Sequence, residues 1–134
     1  EIGSIFFGGG TPSLLEGRQL ARLLDGIDRR LHLAGDIEIT LEANPGTAEA
    51  TRFAGYRAAG VNRLSIGVQS LDDTRLRALG RIHSAREARA AVAMARAAGF
   101  DNLNLDLMYG LPGQTEAGAL ADLQALIERS CLLW

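Results

Sequence analysis

Twice in this chain the same four-residue device ends a helix-periodic stretch and launches a run of alternating apolar residues: Ala58-Ala59-Gly60-Val61 and Ala97-Ala98-Gly99-Phe100. A glycine in the left-handed conformation after the last helical turn, followed by an apolar residue folding back on the helix, stops a helix and redirects the chain. The runs that follow, residues 64–69 and 103–107, read as strands. A helix that feeds a strand, with another helix after it, forces neighbouring strands to run parallel and the helices to pack outside them.

The rest of the chain fits that pattern. Ser4-Ile5-Phe6-Phe7 is a first short strand. Leu14, Leu20, Leu23, Leu24, Ile27 and Leu31 recur at helical spacing and predict an amphipathic helix ending by Gly35. Ile37-Glu38-Ile39-Thr40-Leu41-Glu42 alternates strictly and predicts a strand closed by the turn Asn44-Pro45-Gly46. A helix over 47–59 buries Phe53 and Tyr56, and Gly60 stops it. A short helix near 72–79 precedes a longer one opened by the capping-box spacing Ser84-Ala85-Arg86-Glu87, and a last helix over 115–129 presents Leu120, Leu123, Leu126 and Ile127. Strand and helix thus repeat four times in an α/β fold. With 134 residues, 47% of them hydrophobic, one domain over 1–134 can bury a core of its own.

The strands carry a second signal. Buried parallel strands are usually apolar on both faces. Here one face carries Ile37, Ile39, Leu41, Leu64, Ile66, Val68, Leu103, Leu105 and Leu107. The other carries Glu38, Thr40, Glu42, Ser65, Gly67, Gln69, Asn104 and Asp106. Helices must cover the apolar face, so the polar face lines an interior that is a ligand cavity. The last inward polar residues, Glu42, Gln69 and Asp106, fall at the strand ends where α/β barrels place their chemistry. Each alone could equally cap the next helix or solvate a rim. The first strand runs into Gly8-Gly9-Gly10-Thr11-Pro12-Ser13, whose bare backbone N–H groups either receive a ligand or simply make a tight strand-to-helix turn. It lacks the spacings of the Walker and dinucleotide loops.

Composition narrows the chemistry. The net charge is −2 and the isoelectric point near 5.7, with no basic stripe for nucleic acid. All 14 basic residues are Arg, so Schiff-base and lysine-dependent phosphoryl chemistry are excluded for this segment. A phosphate at the glycine loop is disfavoured for the same reason, because Glu42 and Asp106 would face it without a lysine. The single cysteine, Cys131, reads as a structural thiol, and its isolation suits a cytoplasmic location and no metal site of this chain's own. No apolar run suits stable membrane insertion. Met94 and Met108 are expected to fill core gaps, His32 to lie exposed at a helix end, His83 to sit on a polar rim, and Tyr109 to pack or touch ligand.

Three long stretches then show a resemblance. Phe6-Phe7-Gly8-Gly9-Gly10-Thr11-Pro12-Ser13, Gly60-Val61-Asn62-Arg63-Leu64-Ser65-Ile66-Gly67-Val68-Gln69-Ser70 and Asn104-Leu105-Asp106-Leu107-Met108-Tyr109-Gly110-Leu111-Pro112-Gly113-Gln114-Thr115 resemble the radical S-adenosylmethionine family of oxygen-independent coproporphyrinogen III oxidases and their heme-chaperone relatives. The resemblance implies an open, partial (β/α) TIM-like barrel of about four βα units. It implies that Gly9, Gly10, Thr11, Glu42, Gln69, Arg81 and Asp106 bind S-adenosylmethionine, with no catalytic residue assigned. Without the resemblance, Arg81 reads as a solvated loop charge after Gly80. The family also carries a [4Fe–4S] cluster on three closely spaced cysteines, which this chain lacks. With no polar tail after Cys131-Leu132-Leu133-Trp134, the chain reads as the middle of a barrel without its cluster-binding segment. Ala43-Asn44-Pro45-Gly46-Thr47 is similar to the heme-chaperone branch, which implies heme as the parent protein's cargo. The alternatives are an oxidase acting on a porphyrinogen and a non-catalytic heme carrier.

Overall fold

In a computed structural model, residues 1–130 are described, side chains at 47, 48, 129 and 130 excepted. Four strands, β1 (Ile2–Phe7), β2 (Leu33–Ala43), β3 (Arg63–Gln69) and β4 (Asn102–Leu107), form one sheet in sequence order. All three pairings are parallel. Six helices lie between and after them: α1 (Gly17–Leu31), α2 (Thr47–Ala50), α3 (Phe53–Ala59), α4 (Asp73–Ala78), α5 (Ala85–Ala97) and α6 (Glu116–Ser130). The α/β architecture, with every strand followed by helix, is the one the repeated device demands.

That device works as expected. Gly60 and Gly99 take φ of 108° and 87°, a region that glycine enters without a Cβ penalty. The following amides of Val61 and Phe100 reach back to the carbonyls of Tyr56 and Ala95, and both apolar side chains are fully buried. The chain uses it a third time after α4, where Gly80 has φ 70° and the Arg81 amide donates to the Leu76 carbonyl. The expected capping box also forms: Ser84 accepts from the Glu87 amide while the Glu87 carboxylate accepts from the Ser84 amide. Bonds from that amide and the Ser84 hydroxyl hold the Glu87 carboxyl below its ordinary pKa.

The core lies between the apolar sheet face and the helices. Ile39, Leu41, Leu64, Ile66 and Val68 pack with Leu20 and Leu24 of α1, Phe53 and Tyr56 of α3, Ala88, Ala91 and Ala95 of α5, and Leu126 of α6. The alanines of α5 let that helix sit close to the sheet.

Several expectations fail here for tertiary reasons. The first helix ends before Gly35 as expected, at Leu31, but the strand expected from Ile37 begins already at Leu33, so Gly35 lies inside it. The Ile2 amide donates to the His32 carbonyl, and β1 pairs with β2 from that point. The single helix expected over 47–59 is two, broken at Thr51 and Arg52. Leu14, Leu23 and Leu31 are exposed, leaving Leu20 and Leu24 as the buried positions of α1. Met94 packs against the core, but Met108 is exposed beyond the end of β4. His32 is exposed, as expected. Cys131 lies outside the described residues.

Helices α1 and α3 cross at two glycines. A Cβ on Gly17 would stand 2.5 Å from the Gly55 carbonyl oxygen, a backbone atom that cannot swing aside. Gly17→Ala is therefore expected to destabilise the fold by about 1–3 kcal/mol in chemical denaturation. Gly26→Ala on the same helix is the control. Its nearest neighbour is the flexible Arg30 side chain at 3.6 Å, so the helix should gain about 0.5–1 kcal/mol. Equal effects at the two sites would contradict the close crossing.

Candidate functional site

The polar sheet face is built in two tiers. In the lower one, Arg63 stands 3.6 Å from a Glu38 oxygen and donates to the Thr40 hydroxyl, while the Asn102 amide donates to the other Glu38 oxygen. These groups satisfy one another, which is how Thr40 is almost fully buried on a polar face. Above them, Asn104 donates to the Ser65 hydroxyl at 3.0 Å and to Asp106 Oδ1 at 2.7 Å.

The upper tier opens into a cleft of about 200 Å³ lined by Gly10, Thr11, Glu42, Ser65, Gln69 and Asp106, with Pro12, Ser13, Ala43, Asn44 and Gly67 completing the wall. Five of the seven site residues expected from the sequence thus meet in one place, contributed by the β1 loop and the ends of β2, β3 and β4. Gly9 is the sixth. It does not line the cleft, but its amide donates to Glu42 Oε2 at 3.2 Å, which fixes the carboxylate at the loop. The neighbouring Gly8 allows this approach, since a Cβ there would lie 2.8 Å from the Phe6 ring and 3.0 Å from the same Glu42 oxygen.

Arg81 is not brought to this cleft. It lines a second one, of about 210 Å³, with Gly46, Glu49, Gly80, Ile82 and His83. Asn44 belongs to both walls, so the two clefts are neighbours. Among the described residues the Arg81 guanidinium has no ion pair. His83, expected on a rim, is instead buried at 6% exposure, its Nε2 3.1 Å from the Val68 carbonyl. Tyr109 is largely exposed and takes no part in packing.

The glycine loop is clamped from below. Ser13 is fully buried; its hydroxyl donates to Glu49 at 2.6 Å, and its carbonyl accepts from the Tyr56 hydroxyl at 2.6 Å and from Arg52 at 2.9 Å. Glu49 also accepts the Asn44 amide at 2.8 Å, joining the β1 loop to the end of β2. Burial holds the Tyr56 phenol above its ordinary pKa, with the Arg52 hydrogen bond opposing in part.

Sequence reasoning missed this clamp, together with Asp122. That carboxylate is buried on α6, accepts from the Ser70 hydroxyl at 2.7 Å and the Leu71 amide at 3.2 Å, and stands 3.7 Å from Arg75. The only signal was an acidic residue at helical spacing with Leu126, which on a surface helix is unremarkable.

Among the described residues no group of three or more His, Cys, Asp or Glu side chains could hold a metal ion. No helix among them is long and apolar enough to cross a membrane.

The chain is 56% identical over 128 residues to the heme chaperone HemW of Escherichia coli strain K12, covering 96% of this chain and 34% of that protein. It is 50% identical over 131 residues to the mitochondrial radical S-adenosyl methionine domain-containing protein 1 of Bos taurus, covering 98% of this chain and 29% of that protein. The chain therefore spans about a third of the length of these relatives. Among solved structures it superposes on the coproporphyrinogen III oxidase HemN of Escherichia coli, described as a radical SAM enzyme, with a TM-score of 0.82 and 34% identity, over 95% of this chain and 29% of that one. That match shows the four parallel strands and their helices to be part of a TIM-like barrel. The family model of the radical SAM superfamily matches residues 1–126, and with the strand-end cleft and these relatives it shows that the chain belongs to the radical SAM superfamily, in its HemW- and HemN-like part.

Proposed function

We propose that this chain forms the S-adenosylmethionine-binding part of a heme chaperone. The observation that carries the reading is the convergence of Gly10, Thr11, Glu42, Gln69 and Asp106 on one cleft at the strand ends. The donor set suits the ligand. Glu42 and Asp106 are carboxylates that can balance the ligand's ammonium or accept its ribose hydroxyls, and the Gln69 carboxamide, which makes no hydrogen bond among the described residues, can both donate and accept. Arg81, which lines the adjoining cleft, is a cation suited to the ligand's carboxylate. Gly9 takes part by holding the Glu42 carboxylate at the loop.

A volume of about 200 Å³ is below the usual range for a whole cofactor of this size, so the reading needs both neighbouring clefts. S-adenosylmethionine, when bound, supplies a sulfonium centre open to reductive cleavage. The residues of this chain bind and orient it. They do not fit an iron–sulfur cluster, which needs several converging cysteine thiolates. The identity to proteins named heme chaperones supports heme as cargo and favours that reading over the oxidase.

The test uses the full-length protein carrying this chain. Titration calorimetry is expected to give S-adenosylmethionine binding at one site here, and absorption titration is expected to give stoichiometric heme binding. Turnover of a coproporphyrinogen would instead establish the oxidase alternative, and failure to bind S-adenosylmethionine would remove the site assignment.

A further inference from the structure

We infer that His83 is a positioning residue: its imidazole ties the loop that carries Arg81 to the strand end that carries Gln69, making one binding unit of two clefts. The functional half of this inference rests on the S-adenosylmethionine reading; the structural half does not.

The end of β3 is unusual. Gln69 has φ 68°, a left-handed value uncommon for any residue but glycine, and the Ser70 amide turns straight back to the Val68 carbonyl at 2.9 Å. A hydrogen bond over two residues about a left-handed centre is a rare and strained γ-turn. Such a turn persists only where its surroundings over-determine it, and those places are commonly ligand sites. It coincides with a slip in the register between β3 and β4 from Ile66 to Gln69. The effect is to fold the Gln69 side chain back over Gly67, where a Cβ would stand 2.8 Å from its Nε2. The carboxamide is thereby set into the cleft wall.

Three contacts hold the turn. The Met108 amide donates to the Gln69 carbonyl at 2.9 Å, tying it to the end of β4. Asp122 takes the Ser70 hydroxyl and the Leu71 amide from the α6 side. The third is His83, whose Nε2 must carry the proton, because a carbonyl can only accept. Val68 is thus bonded twice, by the Ser70 amide within the turn and by His83 from outside it.

Only the His83 bond reaches the Arg81 loop. That loop is short and pinned at both ends, by the Arg81 amide on the Leu76 carbonyl and by the Ser84 cap of α5. Ile82 is fully exposed while His83 on one side of it is buried and Arg81 on the other is half-buried. The His83 bond therefore sets where Arg81 stands relative to Gln69.

The experiment compares His83→Ala, His83→Gln and His83→Asn in the full-length protein. Gln can place an amide N–H near the position of Nε2, whereas the shorter Asn cannot. Two readouts are taken, S-adenosylmethionine affinity by calorimetry and backbone amide hydrogen exchange without ligand. His83→Ala and His83→Asn are expected to weaken binding about 10-fold, the loss of one neutral hydrogen bond. They should also speed exchange at residues 69–72 and 80–84 together, leaving α1 and β1 unchanged. His83→Gln should restore both. Wild-type exchange at 69–72 in His83→Asn would overturn the inference, as would a uniform rise across the whole chain or a His83→Gln variant no better than His83→Asn. If the wild-type protein itself fails to bind S-adenosylmethionine, the functional proposal falls, and paired exchange at the two segments still decides the tie.

Discussion

Replacing Glu42 or Asp106 by Ala in the full-length protein is expected to weaken S-adenosylmethionine binding by roughly 1.5–3 kcal/mol each, about 10- to 150-fold, with the thermal midpoint nearly unchanged. Both carboxylates stand on the cleft wall and spend little on the fold. Glu42 accepts one amide, from Gly9, and Asp106 accepts from Asn104 and, at 3.5 Å, from Ser65. Their remaining acceptor capacity points at the cleft. Gly10→Val is expected to be worse: no protein atom lies within 4 Å of a Cβ at Gly10, so the added side chain fills space that the ligand needs, and φ 59° strains it besides. Calorimetry giving wild-type affinity for both Ala variants, at unchanged stability, rejects the site.

Tyr56→Ala is expected to remove about 3–5 kcal/mol of stability, a large share of what a domain possesses. Tyr56 is fully buried, its ring tilted against Phe53 at 6.3 Å, and its hydroxyl is the buried end of the clamp on Ser13. Tyr56→Phe keeps the ring. Arg52 still donates to the Ser13 carbonyl, so the loss should be about 1 kcal/mol in urea unfolding. The two variants also differ from wild type in alkali. Burial raises the Tyr56 pKa in the folded state, so the folded chain holds that proton more tightly than the unfolded one. The associated stability is fully present below the unfolded pKa of about 10 and is lost as pH rises through the higher folded value. Tyr56→Phe should flatten the alkaline fall of stability. An unchanged fall would assign it to other groups.

The polar strand face was legible because alternation is a local pattern: Glu38, Thr40 and Glu42 share a side whatever they pack against. Its meaning was only partly legible. Glu42 and Asp106 do reach the cleft, yet Thr40 on the same face is buried in bonds to neighbours, and Ser65, although it lines the cleft, is nearly buried and accepts from Asn104 on the next strand. Arg81 was placed with the other site residues by resemblance and lies in the adjoining cleft, because it stands on the loop between α4 and α5, pinned by its own amide to the Leu76 carbonyl, and not at a strand end.

The sequence by itself determined the strand and helix order, the left-handed helix stops at Gly60 and Gly99 and the Ser84 cap, since each depends on residues within one or two turns of one another. It also determined that one sheet face must be polar. Tertiary structure alone decided the break at Thr51 and Arg52, the exposure of Leu14, Leu23 and Leu31, and the early start of β2. It alone also gave Gln69 its left-handed backbone. That conformation is unfavourable locally and exists because Met108, His83 and Asp122, at separations of up to more than 50 residues, hold the adjoining atoms. Contacts between distant residues have no periodicity in the chain, so they become readable only once the sheet has brought the strand ends together.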